Sequence, residues 1–118
     1  MPWQYSQRTG NLYRDTVWVG AGYSGAGWGR NNPELEEVRN LGPIPRGRYR
    51  IGAAHDTADH GPHVMALAPV LHNAHGRTGF LIHGDNSTHT ASQGCIILGP
   101  HIRSQISESA DTELEVTR

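Results

Sequence analysis

Cys95 and His83 are the two side chains of this sequence best suited to covalent chemistry. Cys95 is the one cysteine of the chain, and His83 precedes it across a polar segment that begins at Gly84 and ends at Gly94. A free cysteine is more often a small buried residue than a reactive one, so its neighbours must decide between the two interpretations. An adjacent imidazole can take the thiol proton and stabilise the thiolate that attacks a carbonyl. The pair therefore predicts acyl transfer, with Cys95 as nucleophile and His83 as base.

A glycine adjoins each of these reactive residues. Gly94 removes the Cβ that would block an approaching carbonyl, and its N–H, together with that of Cys95, could bind a developing oxyanion. Gly84 permits a tight turn whose carbonyl could hold the tautomer of His83, with Asp85 as the competing group. Each position also has an ordinary interpretation as a turn residue. Their joint presence around one thiol favours the catalytic one.

Two apolar segments must position the pair. The segment 80–82 is typical of a buried strand that ends at His83, and the segment 95–98 is typical of a second strand. The loop between them is almost entirely polar, and within it Ser92 could donate to substrate or fix the loop. We expect this loop to bring the two strand ends together at one rim, which would place the imidazole beside the thiol.

The rest of the chain predicts further short strands joined by turns. Strands are expected within residues 3–13 (two, around a turn) and at 17–19, 48–51, 64–71 and 113–116, and helical turns at 33–39 and 101–109. We expect polar loops at 55–63 and 72–77, and Pro69 should interrupt its strand. The predicted fold class is mostly β: one sandwich or barrel domain spanning residues 1–118, with one or two short helices.

Composition limits the remaining classes. The chain has 118 residues, of which 36% are hydrophobic and 18% charged, which suits one folded domain rather than a disordered chain. A formal net charge of −1 gives no reason to expect a nucleic-acid partner. No apolar run approaches the roughly 20 residues of a membrane span, and the first residues lack the apolar core of a signal peptide. One cysteine excludes an intrachain disulfide and a multi-cysteine zinc site, and no metal or cofactor is expected.

Several short motifs occur in order along the chain. They are Trp3-x-Tyr5-x-Gln7-x-Thr9-Gly10, Tyr23-Ser24-Gly25, Asn31-Asn32-Pro33, Gly42-Pro43-Ile44-Pro45-x-Gly47-x-Tyr49, Gly76-Arg77, Ile82-His83-Gly84-Asp85 and Ala91-Ser92-x-Gly94-Cys95-Ile96. The last two resemble the L,D-transpeptidase signature, which is a His-Gly, a spacer and then Ser-His-Gly-Cys. Together the motifs look like the L,D-transpeptidase-like effectors of type VI secretion, and this resemblance covers nearly the whole chain.

The resemblance implies an L,D-transpeptidase-like β fold and peptidoglycan stem peptides as substrate. Carried over by position, Cys95 is the nucleophile, His83 the base, Gly84 the carbonyl that orients the base, and Gly94 with Cys95 the oxyanion hole. The implied reaction is release or exchange of the terminal D-alanine of tetrapeptide stems through a Cys95 thioester. L,D-carboxypeptidase and L,D-transpeptidase outcomes stay open at this point, because the choice depends on how the cleft excludes water.

The sequence departs from the broader family at two positions. Gln93 stands where that family has its second histidine, and Ile97 stands where an arginine often follows. The contact that this arginine makes with the acyl donor must come from elsewhere, and Arg77 is our candidate. The residues expected to contact substrate are Ser92, Asp85, Arg77, Tyr23 and Gln93.

The resemblance also implies a location and partners. An effector without a signal peptide would be delivered by components of a secretion system and act in the periplasm of a target bacterium. A cognate immunity protein that plugs the cleft is the implied partner. A prophage lysis enzyme would also act on cell wall and is an alternative.

Three other classes remain open. A different cell-wall cysteine amidase or endopeptidase is one, although the cysteine usually precedes the histidine in the common amidase-like cysteine peptidases. A metal hydrolase is the second, since the chain has 8 histidines, but no pair has the helical spacing of a zinc protease. The third is a non-catalytic wall-binding module in which Tyr23, Trp28 and Trp18 would form a stacking surface.

Overall fold

A computed structural model of the chain describes residues 2–118, in which β-strands predominate. The strands are β1 Trp3–Ser6, β2 Asn11–Arg14, β3 Val17–Ala21, β4 Tyr23–Ser24, β5 Gly47–Ile51, β6 His55–Thr57, β7 Gly61–Val70, β8 Leu81–His83, β9 Ile96–Ile97 and β10 Glu113–Thr117. The α-helix α1 spans Pro100–Glu108, and 3-10 turns span Gly27–Gly29, Pro33–Leu35 and Ala74–Gly76. The mostly β fold class is confirmed.

The strands form one sheet whose two ends meet. Its order is β3-β2-β1-β10-β5-β7-β8-β9-β4, with β6 paired to β7. β3 and β4 stand at opposite ends of this order, yet only Gly22 separates them along the chain. The sheet must therefore curl until its ends lie side by side, which produces the barrel-like form expected from the sequence. Gly22 is required at this seam, because a Cβ there would collide with the carbonyl oxygen of Ile97.

One hydrophobic core lies inside the curled sheet. Side chains of a strand alternate between its two faces, so Trp3 and Tyr5 of β1 point inward beside their parallel partners Leu114 and Val116 of β10. Ile106 of α1 adds to the same core. The sheet is therefore a rigid support for the strands β8 and β9, which carry the reactive residues.

The strands β8 and β9 are parallel, with Ile82 paired to Ile96 and His83 to Ile97. The polar loop after β8 must therefore cross back to the start of β9, since parallel neighbours need a crossover connection. The expectation that the end of one strand and the start of the next share a rim was wrong. Cys95 directly precedes β9 and so lies near the end of the strand pair at which β8 begins. His83 lies at the other end, where β8 finishes.

Two of the expected interruptions are also wrong. Part of the segment 55–63, expected as a polar loop, pairs as the antiparallel strands β6 and β7, and its exposed polar side chains had hidden the strand. Pro69 lies inside a continuous β7. Leu67 directs its N–H away from β5 to the carbonyl of Phe80, and Pro69, two residues further, directs its nitrogen to the same side. The pairing with β8 covers only Met65 and Ala66, so no ladder bond is lost at the proline.

The helix signals were placed correctly. The side chain of Asn32 accepts a hydrogen bond from the N–H of Glu34 and caps the turn that begins at Pro33, although this turn is a short 3-10 segment. The expected C-terminal helix forms as α1. Within residues 2–118, no helix has the length and apolar character needed to cross a membrane.

Candidate active site

A cavity of about 480 Å³ beside β8 and β9 brings the two reactive residues together. The predicted residues that line it are Cys95, His83, Gly94, Gln93 and Arg77. A second cavity borders it, and the predicted residues on its wall are His83, Gly84 and Asp85. Tyr23 and Ser92, the latter within the loop 84–94, line neither cavity.

The alternation of the strands explains why Cys95 and His83 face one cavity. Ile82 and Ile96 are paired across β8 and β9, and both belong to the core. His83 follows Ile82 by one residue and Cys95 precedes Ile96 by one, so both side chains point to the opposite face of the sheet. A thiol and an imidazole thus reach the same space from two neighbouring strands.

The imidazole of His83 is held in one tautomer. Its Nδ1 lies 2.8 Å from the carbonyl oxygen of Gly84, which can only accept, so Nδ1 carries the proton and Nε2 has the free lone pair. Nε2 is buried and has no hydrogen-bond partner among the described residues. Burial, followed by the positive fields of His60 and Arg103, lowers the pKa of His83, although the bond to Gly84 opposes this. His83 is therefore a neutral, oriented imidazole whose free Nε2 is suited to accept a proton.

The thiol of Cys95 is half-buried. Burial raises its pKa, while a backbone hydrogen bond from Leu81 and the charge of Arg77 partly offset that effect. With the thiol pKa raised and the pKa of His83 lowered, the resting pair is a neutral thiol and a neutral imidazole. The site thus suits proton transfer during the attack rather than a preformed ion pair.

Ser92 fixes the backbone before the nucleophile. The side chain is 1% exposed, and its oxygen accepts from the N–H of Gly25 at 2.9 Å and of Gly94 at 3.1 Å while donating to the carbonyl of Cys95 at 2.6 Å. Of the two roles expected for Ser92, the structure therefore supports loop fixation. The expectation that the N–H of Gly94 is available to an oxyanion is not met, because Ser92 already binds it. Of the expected pair, the N–H of Cys95 remains the candidate donor.

Asp85 and Tyr23 brace the start of the polar loop. The carboxylate of Asp85 accepts from the hydroxyl of Tyr23 at 2.6 Å, from the ring of His89 at 2.7 Å and from the N–H of Asn86 at 2.8 Å. Burial alone would raise the pKa of Asp85, but these bonds outweigh it and lower the pKa. Asp85 does not bind His83, so the Gly84 carbonyl, and not this carboxylate, orients the base. The Tyr23 hydroxyl also accepts from the N–H of Ala91, which closes the loop at its other end.

Both Nη atoms of Arg77 are engaged with the protein backbone. The side chain is 4% exposed, and its Nη atoms donate to four backbone carbonyls. These acceptors are the carbonyls of Glu36 (2.6 Å), Pro43 (2.8 Å), Gly42 (3.0 Å) and Gln93 (3.2 Å). The two Nη atoms carry four of the five guanidinium hydrogens, so only the Nε–H has no recorded acceptor. The expectation that Arg77 replaces the missing acyl-donor contact is therefore not supported, and Arg77 instead ties the loop before Cys95 to the segment 36–43.

Two residues at the site escaped the sequence analysis. The ring of His60, from the turn between β6 and β7, stacks on His83 with their centroids 4.6 Å apart. Arg103 of α1 is 5% exposed and lies against Gly84. The helical period could have indicated the second, because Arg103 and Ile106 are three residues apart and share the buried face of α1. His60 had no such signal, since its neighbours are polar and exposed.

No cluster of three or more histidine, cysteine, aspartate or glutamate side chains suited to a metal ion occurs in residues 2–118.

Comparison with curated proteins gives no significant sequence match. A family model does match, and it is described as the Tlde1 domain and covers residues 19–116. That range includes both reactive residues, the loop between them and α1. The chain therefore belongs to the Tlde1 domain family, a family of type VI secretion effectors.

Proposed function

We propose that this protein is a cysteine-dependent L,D-carboxypeptidase or L,D-transpeptidase that acts on the tetrapeptide stems of peptidoglycan. The observation that supports it most is the unpartnered Nε2 of His83 in the cavity that Cys95 lines. A buried lone pair without a donor is costly, so a site that keeps one is suited to receive a proton. Membership of an effector family favours a cell-wall target.

In the first step His83 takes the proton of the Cys95 thiol at Nε2. The sulfur attacks the carbonyl carbon of the third stem residue, a C–S bond forms, and the carbonyl electrons move to the oxygen. The N–H of Cys95 would stabilise this oxyanion. The imidazolium of His83 keeps its Nδ1–H bond to Gly84 throughout.

In the second step the tetrahedral adduct collapses. The C–N bond to the terminal D-alanine breaks, and the proton held on Nε2 of His83 passes to the leaving amine, which leaves a thioester on Cys95. Water then attacks the thioester, or the amine of a D-amino acid or of a neighbouring stem does, with His83 again taking the proton. The C–S bond breaks, the Cys95 thiolate leaves and takes the proton back from His83, and the cycle closes.

Delivery and location follow from the family as proposals. A type VI effector of this chemistry would act in the periplasm of a target bacterium, where stem peptides are found. Its partners would be secretion-system components and an immunity protein that occupies the cavity at Cys95. His60, Thr90 and Gln93 line this cavity and belong to the surface such a protein would cover.

The central test uses purified protein and disaccharide-tetrapeptide muropeptides, followed by mass spectrometry. We expect release of D-alanine and a transient acyl adduct on the intact protein, and loss of both in Cys95→Ala, with the rate falling by about three orders of magnitude or more. Val17→Ala, an exposed residue of β3, is the matched control and should keep the wild-type rate. Release of D-alanine by Cys95→Ala at the wild-type rate would show that the nucleophile assignment is wrong.

A second measurement separates hydrolysis from exchange and tests the location. Adding a labelled D-amino acid to the same reaction yields labelled tetrapeptide if exchange occurs, and tripeptide alone if water is the acceptor.

Expression in bacteria with and without a periplasmic signal should make only the periplasmic wild-type protein toxic. Equal toxicity of periplasmic Cys95→Ala would contradict a catalytic effector and favour a wall-binding module.

A further inference from the structure

The second cavity lies against the base rather than the nucleophile. It measures about 700 Å³ and is bordered by the turn at His60, by His83 and Gly84, and by Arg103 at the start of α1. It shares His60 and His83 with the cavity at Cys95, so the two spaces adjoin at the base. Cys95 does not line it. An amine that leaves the tetrahedral adduct on protonation by His83 would enter this second cavity.

Arg103 contributes a buried positive charge to this cavity. The residue is 5% exposed, and its one recorded bond joins Nη1 to the carbonyl of Leu98 at 3.3 Å. Its Nε is buried without a partner, and no carboxylate of the described chain lies within ion-pair distance of it. A buried guanidinium normally requires an anion or several acceptors. Arg103 thus has donors without an acceptor among the described residues, and a ligand in this cavity could use them.

Packing places these donors beside the base. A Cβ on Gly84 would collide with Nη1 of Arg103 and would also lie close to Nη2, so the guanidinium lies directly against the residue that orients His83. The charge of Arg103 is also felt at His83, whose pKa it helps to lower. The guanidinium therefore lies against the residue that follows His83, on the wall of the cavity that His83 also lines.

The charges on the cavity wall limit the kinds of ligand that could bind there. The acidic residues on it are Asp59 and Asp85, and the carboxylate of Asp85 is already held by Tyr23, His89 and its neighbouring N–H. Arg103 is thus the one buried cation of this wall with unused donors. Arginine pairs best with planar anions such as a carboxylate. A terminal amino acid carries its carboxylate one carbon from the amine that His83 must protonate.

We propose that Arg103 binds the α-carboxylate of the terminal D-amino acid while His83 protonates its amine. This inference rests on the proposed function and names the subsite that its leaving group occupies. The proton taken from Cys95 moves to the amine as the C–N bond breaks, and the carboxylate stays paired with Arg103 until the product departs. In the exchange reaction the incoming D-amino acid would bind to the same subsite, with its carboxylate on Arg103, and its amine would attack the thioester.

The test compares two ligands that differ only in this carboxylate: a tetrapeptide stem with a free C-terminus and the same stem with a C-terminal amide. Binding is measured calorimetrically with Cys95→Ala, which cannot turn the ligand over. We expect the acid to bind about 10- to 100-fold more tightly than the amide, and this ratio to fall to near 1 in Cys95→Ala/Arg103→Met. Cys95→Ala/Arg8→Met, which removes an exposed arginine outside both cavities, is the matched control and should keep the ratio.

Equal binding of the acid and the amide to Cys95→Ala would overturn the proposal, whether or not an Arg103 variant folds. A ratio that persists in a folded Arg103→Met protein would also overturn it. Release of D-alanine by wild-type protein is measured separately. Its absence with a preserved acid preference would count against the proposed reaction and leave the carboxylate subsite supported.

Discussion

The two sides of the candidate site are built alike but differ in how their buried arginines are satisfied. On the nucleophile side, which comprises Cys95 and its neighbours, Arg77 packs against Gly94. On the base side, which comprises His83 and its neighbours, Arg103 packs against Gly84. The arginines are almost equally buried, at 4% and 5% exposed. The Nη atoms of Arg77 donate to four carbonyls, whereas Arg103 has one recorded acceptor and an unpartnered Nε.

This difference separates a structural role from a binding role. A buried cation whose Nη hydrogens are all used holds the backbone in place, and Arg77 does so for the loop before Cys95. A buried cation with unused hydrogens lowers stability until an anion arrives, as we infer for Arg103. Each charge also favours the resting reactivity of its side: Arg77 promotes ionisation of the Cys95 thiol, and Arg103 keeps His83 neutral.

The largest expected effect is on stability. Arg77→Met would leave four carbonyls without their donor and should lower the free energy of unfolding by about 3–5 kcal/mol. Arg103→Met removes a poorly compensated charge and should change it by about 1 kcal/mol or less. Urea denaturation of both variants measures the difference. Equal losses would show that the two arginines are satisfied to the same degree, and the contrast between the two sides would fail.

The two glycines should respond unequally to a methyl group. Gly94 has φ +142° and contacts Arg77, so Gly94→Ala combines backbone strain with a collision and should cost about 3 kcal/mol. Gly84 lacks a positive φ, and Gly84→Ala should cost about 1 kcal/mol through its collision with Arg103 alone. That cost should largely vanish in Gly84→Ala/Arg103→Met, measured as a double-mutant cycle of unfolding. Additive losses at Gly84 and Arg103 would contradict the contact.

The hydrogen-bond network of the nucleophile side extends to Glu36. Burial opposes ionisation of this carboxyl, but bonds from Arg46 and Gln7 outweigh it and lower its pKa to about 2. A lowered carboxyl pKa contributes stability that is present above the unfolded pKa and is lost as pH falls toward the folded one. Glu36→Gln should therefore lower the free energy of unfolding by about 2 kcal/mol at pH 7. Solvent around the partly exposed Arg46 screens part of the interaction and keeps the loss this small. The difference from wild type should disappear near pH 2, which thermal unfolding across pH can check.

The smallest expected effect is a shift in pH dependence on the base side. Arg103 lowers the pKa of His83, so Arg103→Met should raise it. Because the base must be neutral, the acid limb of kcat/KM should move to higher pH in this variant. NMR titration of His83 in the unliganded variant measures the same shift without substrate. An unmoved or lowered pKa would show that the charge of Arg103 does not reach the base.

Much of the fold was predictable because its signals are local. The apolar segments of β8 and β9, the cap at Asn32 and the final strand β10 each depend on residues close together in sequence. Two predictions failed because the features concerned depend on residues far apart in the sequence. The connection between β8 and β9 has to cross over because the two strands pair in parallel, and the order of residues along the chain does not reveal which strands pair or in which direction. Pro69 stays in its strand because β8 is too short to reach it, and the length of a neighbouring strand is a property of the whole sheet.

By itself the sequence predicted the kind of chemistry that we propose, because Cys95 and His83, each adjoined by a glycine, accompany two apolar segments with strand character. Only the tertiary structure decided which groups serve that chemistry. It engaged Arg77 with backbone carbonyls, left Arg103 short of acceptors, and assigned the orientation of His83 to a carbonyl rather than to Asp85. The physical reason is that residue type sets what a side chain can donate or accept. Whether those groups are already paired depends on backbone atoms brought close by distant parts of the chain.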